Sequence, residues 1–205
     1  MSWLACIHGV GSDGVRRFFQ LIQMVQKNTG MSDEDIRKLR LTVEHAPVIS
    51  SLPDIVEGLK RYGIIVSAGP NHFKAAPDYV RDYGPNVVPF LAPIKTLMDK
   101  GVKVVGQVHG YRGIGDAWMM FMTREVNGKT YLPQEALDRV TVLKMWTRWA
   151  ADYVMKENDL GSLEAGKLDR FQGWYRVRGA HSITHTIFRP SGAEQDHYTL
   201  TLKML

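Results

Sequence analysis

Four short apolar runs divide the first part of the chain, and residues at helical spacing follow each run. Parallel strands need long crossover connections, which are usually helices, so this alternation predicts a parallel sheet. A TIM-like barrel repeats the same strand–helix unit eight times. The pattern therefore predicts an α/β fold with about four parallel strand–helix units, equivalent to part of a TIM-like (β/α) barrel. The predicted strands begin near residues 3, 40, 63 and 102.

The helical stretches are separated by glycines and prolines. In the first stretch, Val15, Phe18 and Ile22 recur at the three- and four-residue spacing of an amphipathic helix. Residues 71–89 contain several prolines, so we predict a loop at the strand-end face. The longest helix is predicted from Pro133 to about Lys156. Its predicted inner side contains Leu137, Val140, Leu143, Ala150 and Val154, and Trp146 and Trp149 are expected to pack against the sheet.

Three of the predicted strands end in a histidine, namely His8, His45 and His109. Side chains at the C-terminal ends of parallel barrel strands converge on one pocket, so we expect His8 and His45 to lie side by side. Neutral imidazole binds zinc and similar divalent ions, although a catalytic zinc site has about three protein ligands. The alternative for each histidine alone is an ordinary polar residue near the surface.

The composition is that of a globular domain. The chain has 205 residues, 44% hydrophobic and 23% charged, and one core of ordinary size is expected. The net charge is +5 and the pI is near 9.3, which would permit contact with nucleic acid. The lysines and arginines are scattered rather than clustered, so we expect no nucleic-acid partner.

The single cysteine and the hydropathy pattern bear on the cellular location of the protein. Cys6 lies in an apolar run, cannot form an internal disulfide and is predicted to fill the core. No apolar stretch approaches the roughly 18 residues that span a membrane, and the N-terminus lacks a signal-peptide pattern. We therefore expect a cytoplasmic protein with no membrane partner.

A glycine-rich loop follows the fourth predicted strand. Gly110, Gly113 and Gly115 do not reproduce the dinucleotide-binding fingerprint, and the Lys-Ser/Thr pair of a phosphate-binding loop is absent. A nucleotide site is therefore not predicted there.

Some segments of the chain resemble the amidohydrolase superfamily, specifically metal-dependent hydrolases related to cytosine deaminase and to the exoenzyme-regulator group. Cys6-Ile-His8-Gly-Val-Gly-Ser-Asp13 is similar to the family's "His-Ala-Ile-Gly-Asp" segment at the end of the fifth barrel strand. Arg40-Leu-Thr-Val-Glu44-His45 resembles "Ile-Glu-His" at the end of the sixth. Leu160-Gly-Ser-Leu-Glu-Ala-Gly-Lys-Leu168 is similar to the segment by which the chain leaves the barrel. The resemblance implies that this chain is the C-terminal half of a barrel.

The resemblance also implies a division of the chain into two parts. A partial barrel domain is expected over residues 3–168, and residues 169–205 are expected to be an unrelated, irregular and poorly ordered tail, such as a shift of reading frame would produce. The tail contains His181, His185 and His197. The i, i+4 spacing of the first two would suit a metal pair on a helix, but the intervening residues are poor helix formers, so we attribute it to chance.

The family resemblance implies a metal-dependent hydrolase that acts on C–N bonds other than peptide bonds in a small-molecule substrate. His8 and His45 would be metal ligands, zinc the expected cofactor, and Glu44 a group that orients an imidazole. His109 takes the place of the family's catalytic acid on the eighth strand. The candidates for substrate contact, which lie on strand-end loops, are His72, Arg112 and Asp116.

Three departures from the family pattern bear on activity. The His-x-His pair of the family's first strand and the bridging residue of its fourth have no counterpart here, and an acid at the eighth strand end is replaced by His109. We therefore expect a truncated form with little or no activity. The alternative is a non-catalytic remnant or interaction protein, because unpaired edge strands would allow self-association.

Overall fold

The computed structural model describes residues 6–8, 11–45, 52–108 and 114–168, together with the backbone of three strands in the tail. Four parallel strands form the main sheet, and each lies beside the next in chain order. This arrangement confirms the predicted α/β fold with about four strand–helix units. The strands are β1 (Cys6–His8), β2 (Thr42–His45), β3 (Ile65–Ala68) and β4 (Val104–Gly106).

Nine α-helices and a two-stranded antiparallel hairpin are described around this sheet. The hairpin consists of β5 (Glu125–Val126) and β6 (Lys129–Thr130). Short 3-10 helices occupy Pro85–Phe90 and Pro133–Glu135. The α-helices are α1 (Gly11–Thr29), α2 (Asp33–Lys38), α3 (Pro53–Arg61), α4 (Asn71–Lys74), α5 (Ala76–Tyr83), α6 (Ile94–Asp99), α7 (Ile114–Thr123), α8 (Arg139–Trp146) and α9 (Arg148–Tyr153).

Local sequence signals explain where several helices begin. The Ser32 hydroxyl accepts a hydrogen bond from the Asp35 backbone amide, and the Asp35 carboxylate accepts one from the Ser32 backbone amide. The two hydrogen bonds form a capping box at the start of α2. Pro53 opens α3, where its fixed φ suits the first turn. These signals account for the helices that precede and follow β2 along the chain.

One face of the sheet forms the main core with the helices. Ile7, Val43, Val66 and Val104 share one register across the four strands and pack in the same apolar cluster, three of them fully buried and Ile7 partly so. Strand residues alternate between faces, so Cys6, Glu44, Ser67 and Val105 point to the other face. The main core therefore fixes which strand residues face the inside of the partial barrel.

The prediction of one long helix from Pro133 to Lys156 is wrong, because two shorter helices, α8 and α9, occupy this stretch. The Asp138 carboxylate caps α8 by accepting hydrogen bonds from the amides of residues 140 and 141. The helix is interrupted at Thr147, whose φ is −120° and ψ −92°, and α9 begins at the next residue. The predicted inner residues Val140, Leu143 and Val154 are exposed. Val140 and Leu143 lie before the break, on the side of α8 away from the buried Val142 and Met145. The buried residues are Leu137, Val142, Met145 and Ala151, while Trp146 and Trp149 pack against the core as predicted.

The predicted loop over residues 71–89 is mostly helical. Pro77 lies in the first turn of α5, where proline is well tolerated, and Pro85 opens a 3-10 helix. Gly84 separates the two with φ +77°, a conformation that favours glycine. The prolines therefore start helices here rather than prevent them.

The tail contains more regular structure than its composition predicts. Strands β7 (Phe171–Arg176), β8 (Ser182–Phe188) and β9 (Thr199–Lys203) form an antiparallel sheet in chain order. β8 is rich in threonine and isoleucine, β-branched residues that favour strands. Whether residues 169–205 form an unrelated unit stays a prediction. Among the described residues, no helix combines the length and apolarity that crossing a bilayer requires.

Candidate metal site at the strand ends

The imidazoles of His8 and His45 lie side by side at the C-terminal ends of β1 and β2. Their ring centroids are 4.3 Å apart and the ring planes are inclined by 66°. The His45 side chain is buried, whereas His8 is exposed. The predicted approach of the two rings is therefore met by the geometry, and the pair has one face open to solvent.

The backbone of His45 helps to explain how the rings meet. His8 is in register with Glu44, so strict alternation would place His45 on the opposite face, with Val43. His45 has φ +75°, a left-handed conformation that is uncommon for residues other than glycine. This turn ends the alternation at the strand terminus and is compatible with a ring that approaches His8. Unusual backbone conformations of this kind cluster at functional sites.

Glu44 contacts a phenol from the last helix. The Tyr153 hydroxyl donates to Glu44 Oε1 at 3.3 Å and lies 3.4 Å from the Cys6 sulfur. Burial is the main cause that raises the pKa of Tyr153, and the Cys6 contact adds to it, so the phenol stays protonated at neutral pH. This hydrogen bond joins β2 to α9, and the role of Glu44 in orienting an imidazole stays a prediction.

Cys6 does not fill the core as predicted. Its side chain is an exposed free thiol on the face of β1 opposite Ile7. The apolar run suggested burial, but a strand at the edge of a sheet buries only one of its two faces fully.

The remaining predicted site residues are not brought together by the described structure. Asp116 is exposed in the first turn of α7. His72 belongs to α4, directly after β3, with only its backbone described. His109 and Arg112 lie outside the described residues, as do His181 and His197, while His185 lies on β8. The assignments of His72, His109, Arg112 and Asp116 therefore stay predictions.

A buried arginine was missed from the sequence. Arg124 is 1% exposed and donates to the carbonyls of Leu91 and Ala92 at 2.8 and 3.3 Å. Its guanidinium lies 3.8 Å from the centre of the Phe73 ring, a cation–π contact. Burial lowers the pKa of Arg124 to about 10, so it remains charged. Arg124 therefore anchors the second, smaller apolar cluster, which includes Phe73 and Tyr131.

The described cavity is at the other end of the sheet from the histidines. It measures about 290 Å³ and lies beside the start of β4, between the strand and Trp149. Lys103 and Asp152, which form an ion pair at 3.3 Å, also line it. Because Lys103 precedes β4 while His8 and His45 end their strands, this cavity is not part of the histidine site.

The sequence profile of the amidohydrolase family matches residues 2–168, which is most of the chain. The chain belongs to the amidohydrolase family. A comparison with curated proteins found no match. The match covers β1 to β4 and all nine described helices, so the amidohydrolase segment contains both His8 and His45.

Solved structures similar to this amidohydrolase chain agree with the fold. An uncharacterized metal-dependent hydrolase from Pyrococcus furiosus has a TM-score of 0.63 and 20% identity, over 80% of this chain and 31% of that one. An uncharacterized metal-dependent hydrolase from Pyrococcus horikoshii OT3 has a TM-score of 0.62 and 20% identity, over 80% of this chain and 32% of that one. A Xaa-Pro dipeptidase with bound methionine has a TM-score of 0.52 and 17% identity, over 91% of this chain and 39% of that one. The chain thus spans about a third of the length of these structures.

Membership of the amidohydrolase family implies a divalent metal. Each imidazole centre lies roughly 3 Å from an ion that its nitrogen binds, so rings 4.3 Å apart are within reach of one ion. The described part of the chain contains no group of three histidine, cysteine or acidic side chains placed to hold a metal. The two imidazoles therefore fit two positions of a coordination sphere, and the described residues supply no complete one.

Proposed function

We propose that His8 and His45 are two ligands of a catalytic zinc ion in a hydrolase that acts on C–N bonds other than peptide bonds. The observation that supports this is the imidazole pair, 4.3 Å apart at adjacent parallel strand ends. Parallel barrels place their active sites at this end of the strands. The subgroup related to cytosine deaminase and the small-molecule substrate are part of the same proposal.

The individual residues have separate roles in this proposal. When bound, the metal would lower the pKa of a coordinated water and so supply a hydroxide near neutral pH. His8 and His45 would bind as neutral imidazoles, so their affinity for the ion falls when they are protonated. We assign His109 to proton transfer and place His72, Arg112 and Asp116 along the strand-end loops that contact substrate.

We further propose that the chain by itself is a truncated, inactive form. Catalytic zinc sites use three protein ligands, while the described residues bring two imidazoles together. An ion held by two ligands is mostly hydrated and exchanges readily. The exposed thiol of Cys6 is compatible with the reducing cytoplasm, which we propose as the compartment.

Metal binding by single-histidine variants tests the ligand assignment. The purified chain is dialysed against zinc of known free concentration, beside His8→Ala, His45→Ala and the control variant His197→Ala. We expect both strand-end variants to lose at least about tenfold in zinc affinity, because each removes half of the protein ligands, whereas His197→Ala should match the parent. Unchanged affinity in both strand-end variants would refute the assignment.

Activity is tested on the same preparations. We expect the zinc-loaded chain to show no turnover of amide, cyclic amide, aminopyrimidine or ester substrates above the level of the double variant His8→Ala/His45→Ala. Turnover by the chain alone that both single substitutions abolish would contradict the proposal that it is inactive.

A second function, as an interaction protein, is favoured by the open sheet. In the described residues, β1 and β4 each pair on one side only. Unpaired strand edges favour association with another strand. Under this proposal the chain would self-associate whether or not zinc is present, which separates it from the metal-binding function.

A further inference from the structure

We infer that the side-chain carboxamide of Gln107, just past β4, binds an amide group of the substrate beside the histidine pair. The inference rests on the proposed function for the identity of the site, and it adds the chemical class that the site would accept. Two features of Gln107 support this role, namely its level on the sheet and a buried polar atom without a partner.

Gln107 lies at the same end of the sheet as the two imidazoles. Its backbone amide donates to the Ala68 carbonyl at 2.8 Å, so the chain stays paired with β3 one residue past Gly106. Ala68 is in register with Gly106 on one side and with His45 on the other. Gln107 is therefore one residue, about 3.3 Å, beyond the level of His45. This is the side from which substrates enter a parallel barrel.

The side chain belongs to the face of the sheet that carries His8. Side chains alternate along a strand, so Gln107 shares a face with Val105. Val105 is in register with Ser67, and Ser67 with Glu44. Glu44 is in turn in register with His8. All of these residues therefore belong to the inner face of the partial barrel.

The spacing of the strands suits a small substrate. The strands that carry His45 and Gln107 are separated by two strand spacings, about 10 Å. The imidazole and the Gln107 side chain each cover part of this distance. A substrate about the size of one ring is therefore long enough to contact an ion at the histidines and the carboxamide at once.

Helix α9 contacts the inner face nearer to the start of the strands. Tyr153 reaches Glu44 and Cys6, and α9 borders the cavity along residues 101–105. By the strand register, each of these strand residues lies at least two residues before the level of Gln107. The described contacts of α9 therefore leave its place in the fold compatible with a ligand at the strand ends.

The carboxamide of Gln107 has an unsatisfied polar atom. Its Oε1 is buried and has no hydrogen-bond partner among the described residues. A buried acceptor without a donor costs stability, and functional sites are where proteins accept such a cost. The residue as a whole is only partly buried, so a ligand can reach the carboxamide through a change of rotamer.

The chemistry of a carboxamide selects the ligand class. It combines a carbonyl acceptor with an N–H donor in one plane. An amide with C=O and N–H on the same side, as in a lactam, can form two parallel hydrogen bonds with it. The structure therefore points to a substrate that has such an amide edge in addition to the C–N bond that is cleaved.

Two small lactams test the amide subsite. Pyrrolidone presents C=O and N–H side by side, and N-methylpyrrolidone lacks the N–H donor. Each is titrated into the isotope-labelled full chain while the side-chain amide signals are followed by NMR. Gln107→Leu assigns the Gln107 signals, and Gln134→Leu, at an exposed position, is the control. We expect pyrrolidone to bind at least about fivefold more tightly than N-methylpyrrolidone, and Gln107→Leu alone to lose this preference.

Thermal unfolding of the same variants separates binding from a structural role. Replacing an unpaired buried polar atom by an apolar group of similar shape is nearly neutral or stabilising, whereas removing a bonded one destabilises the fold. Gln107→Leu should therefore keep or raise the melting temperature of the parent. A clearly lower melting temperature would show that Oε1 is bonded within the fold, and would overturn the inference.

Zinc titrations distinguish failure of this inference from failure of the proposed function. If zinc binding depends on His8 and His45 but pyrrolidone binds equally to the parent and Gln107→Leu, the subsite is wrong and the metal assignment stands. If pyrrolidone binding depends on Gln107 while zinc binding ignores both histidines, the metal function fails and the amide subsite stands. When both dependences hold, zinc should change the pyrrolidone affinity at least about twofold, and an unchanged affinity would place Gln107 away from the metal and overturn the inference.

Discussion

The guanidinium of Arg40 and the carboxylate of Glu157 form a two-bond ion pair that ties the start of β2 to the turn after α9. Nη1 donates to Oε2 at 3.0 Å and Nη2 to Oε1 at 2.5 Å, across 117 residues of sequence. Arg40 Nη1 also donates to the Asp152 carbonyl at 2.8 Å. The pair therefore fixes the last helix against the strand that carries His45.

This ion pair predicts a pH dependence of stability. The hydrogen bonds from Arg40 lower the pKa of Glu157 from 4.5 to about 2. A lowered folded-state pKa stabilises the fold above the unfolded pKa, and this contribution is lost as the pH falls from about 4.5 to about 2. Glu157→Gln should reduce the free energy of unfolding at pH 7 by up to about 1 kcal/mol, because the pair is partly exposed.

Urea unfolding at several pH values measures this effect. The difference between the parent and Glu157→Gln should shrink steadily below pH 4.5, whereas Glu125→Gln, at an exposed position of β5, should differ little from the parent throughout. A difference for Glu157→Gln that stays constant down to pH 2 would argue against the ion pair.

Arg124 should matter more for stability than an exposed arginine. Arg124→Met keeps much of the side-chain volume but removes the guanidinium donor of the Leu91 carbonyl, whereas the Ala92 carbonyl keeps the Ile94 amide. A buried unpaired carbonyl costs about 1–3 kcal/mol. We expect a loss of about 1–3 kcal/mol in the free energy of unfolding. Arg81→Met, which removes exposed ion pairs to Asp78 and Asp82, should cost less than Arg124→Met, because exposed ion pairs contribute little to stability. Equal losses in denaturant titrations would count against this role.

Two helical glycines should respond to alanine in opposite directions. A Cβ on Gly58 would lie 2.2 Å from the Phe19 ring, whereas one on Gly14 would meet nothing within 4 Å. Gly58→Ala should therefore destabilise the fold by about 1–3 kcal/mol through overpacking. Gly14→Ala should stabilise it by up to about 1 kcal/mol through helix propensity. Thermal unfolding that ranks the two variants the other way would show that α1 and α3 do not pack as described.

Removing residues 169–205 should leave the melting temperature unchanged or raised. The sequence of this segment offers no sustained apolar period for a shared core, although three strands pair within it. Calorimetry of the chain that ends at Leu168 measures this. A fall of more than about 5 °C, beyond what a loss of roughly 1 kcal/mol would cause in a chain of this size, would show that the tail stabilises the barrel segment.

The sequence predicted features that depend on local patterns. The four strands and the convergence of His8 and His45 follow from alternation of apolar runs and from the common direction of parallel strands. The position of α1 follows from its apolar spacing. These signals lie within a few residues of the features they determine.

Features that depend on distant contacts were not predicted. Arg124 reaches carbonyls 33 and 32 residues away, and Tyr153 reaches Glu44 across 109 residues. Beside the break at Thr147, Trp146 packs against Gly106 on β4, where a Cβ would lie 2.4 Å from the indole ring. No periodicity in the sequence encodes such contacts, so one long helix was predicted there instead of two short ones.

Zinc K-edge X-ray absorption of the zinc-loaded chain tests the central claim most directly, because it reports the ligands of the bound ion. The account predicts imidazole nitrogens at about 2.0–2.1 Å, with the imidazole scattering lost in His8→Ala/His45→Ala and retained in His197→Ala. A spectrum with the full imidazole contribution in the double variant would contradict the claim that the strand-end histidines bind the metal.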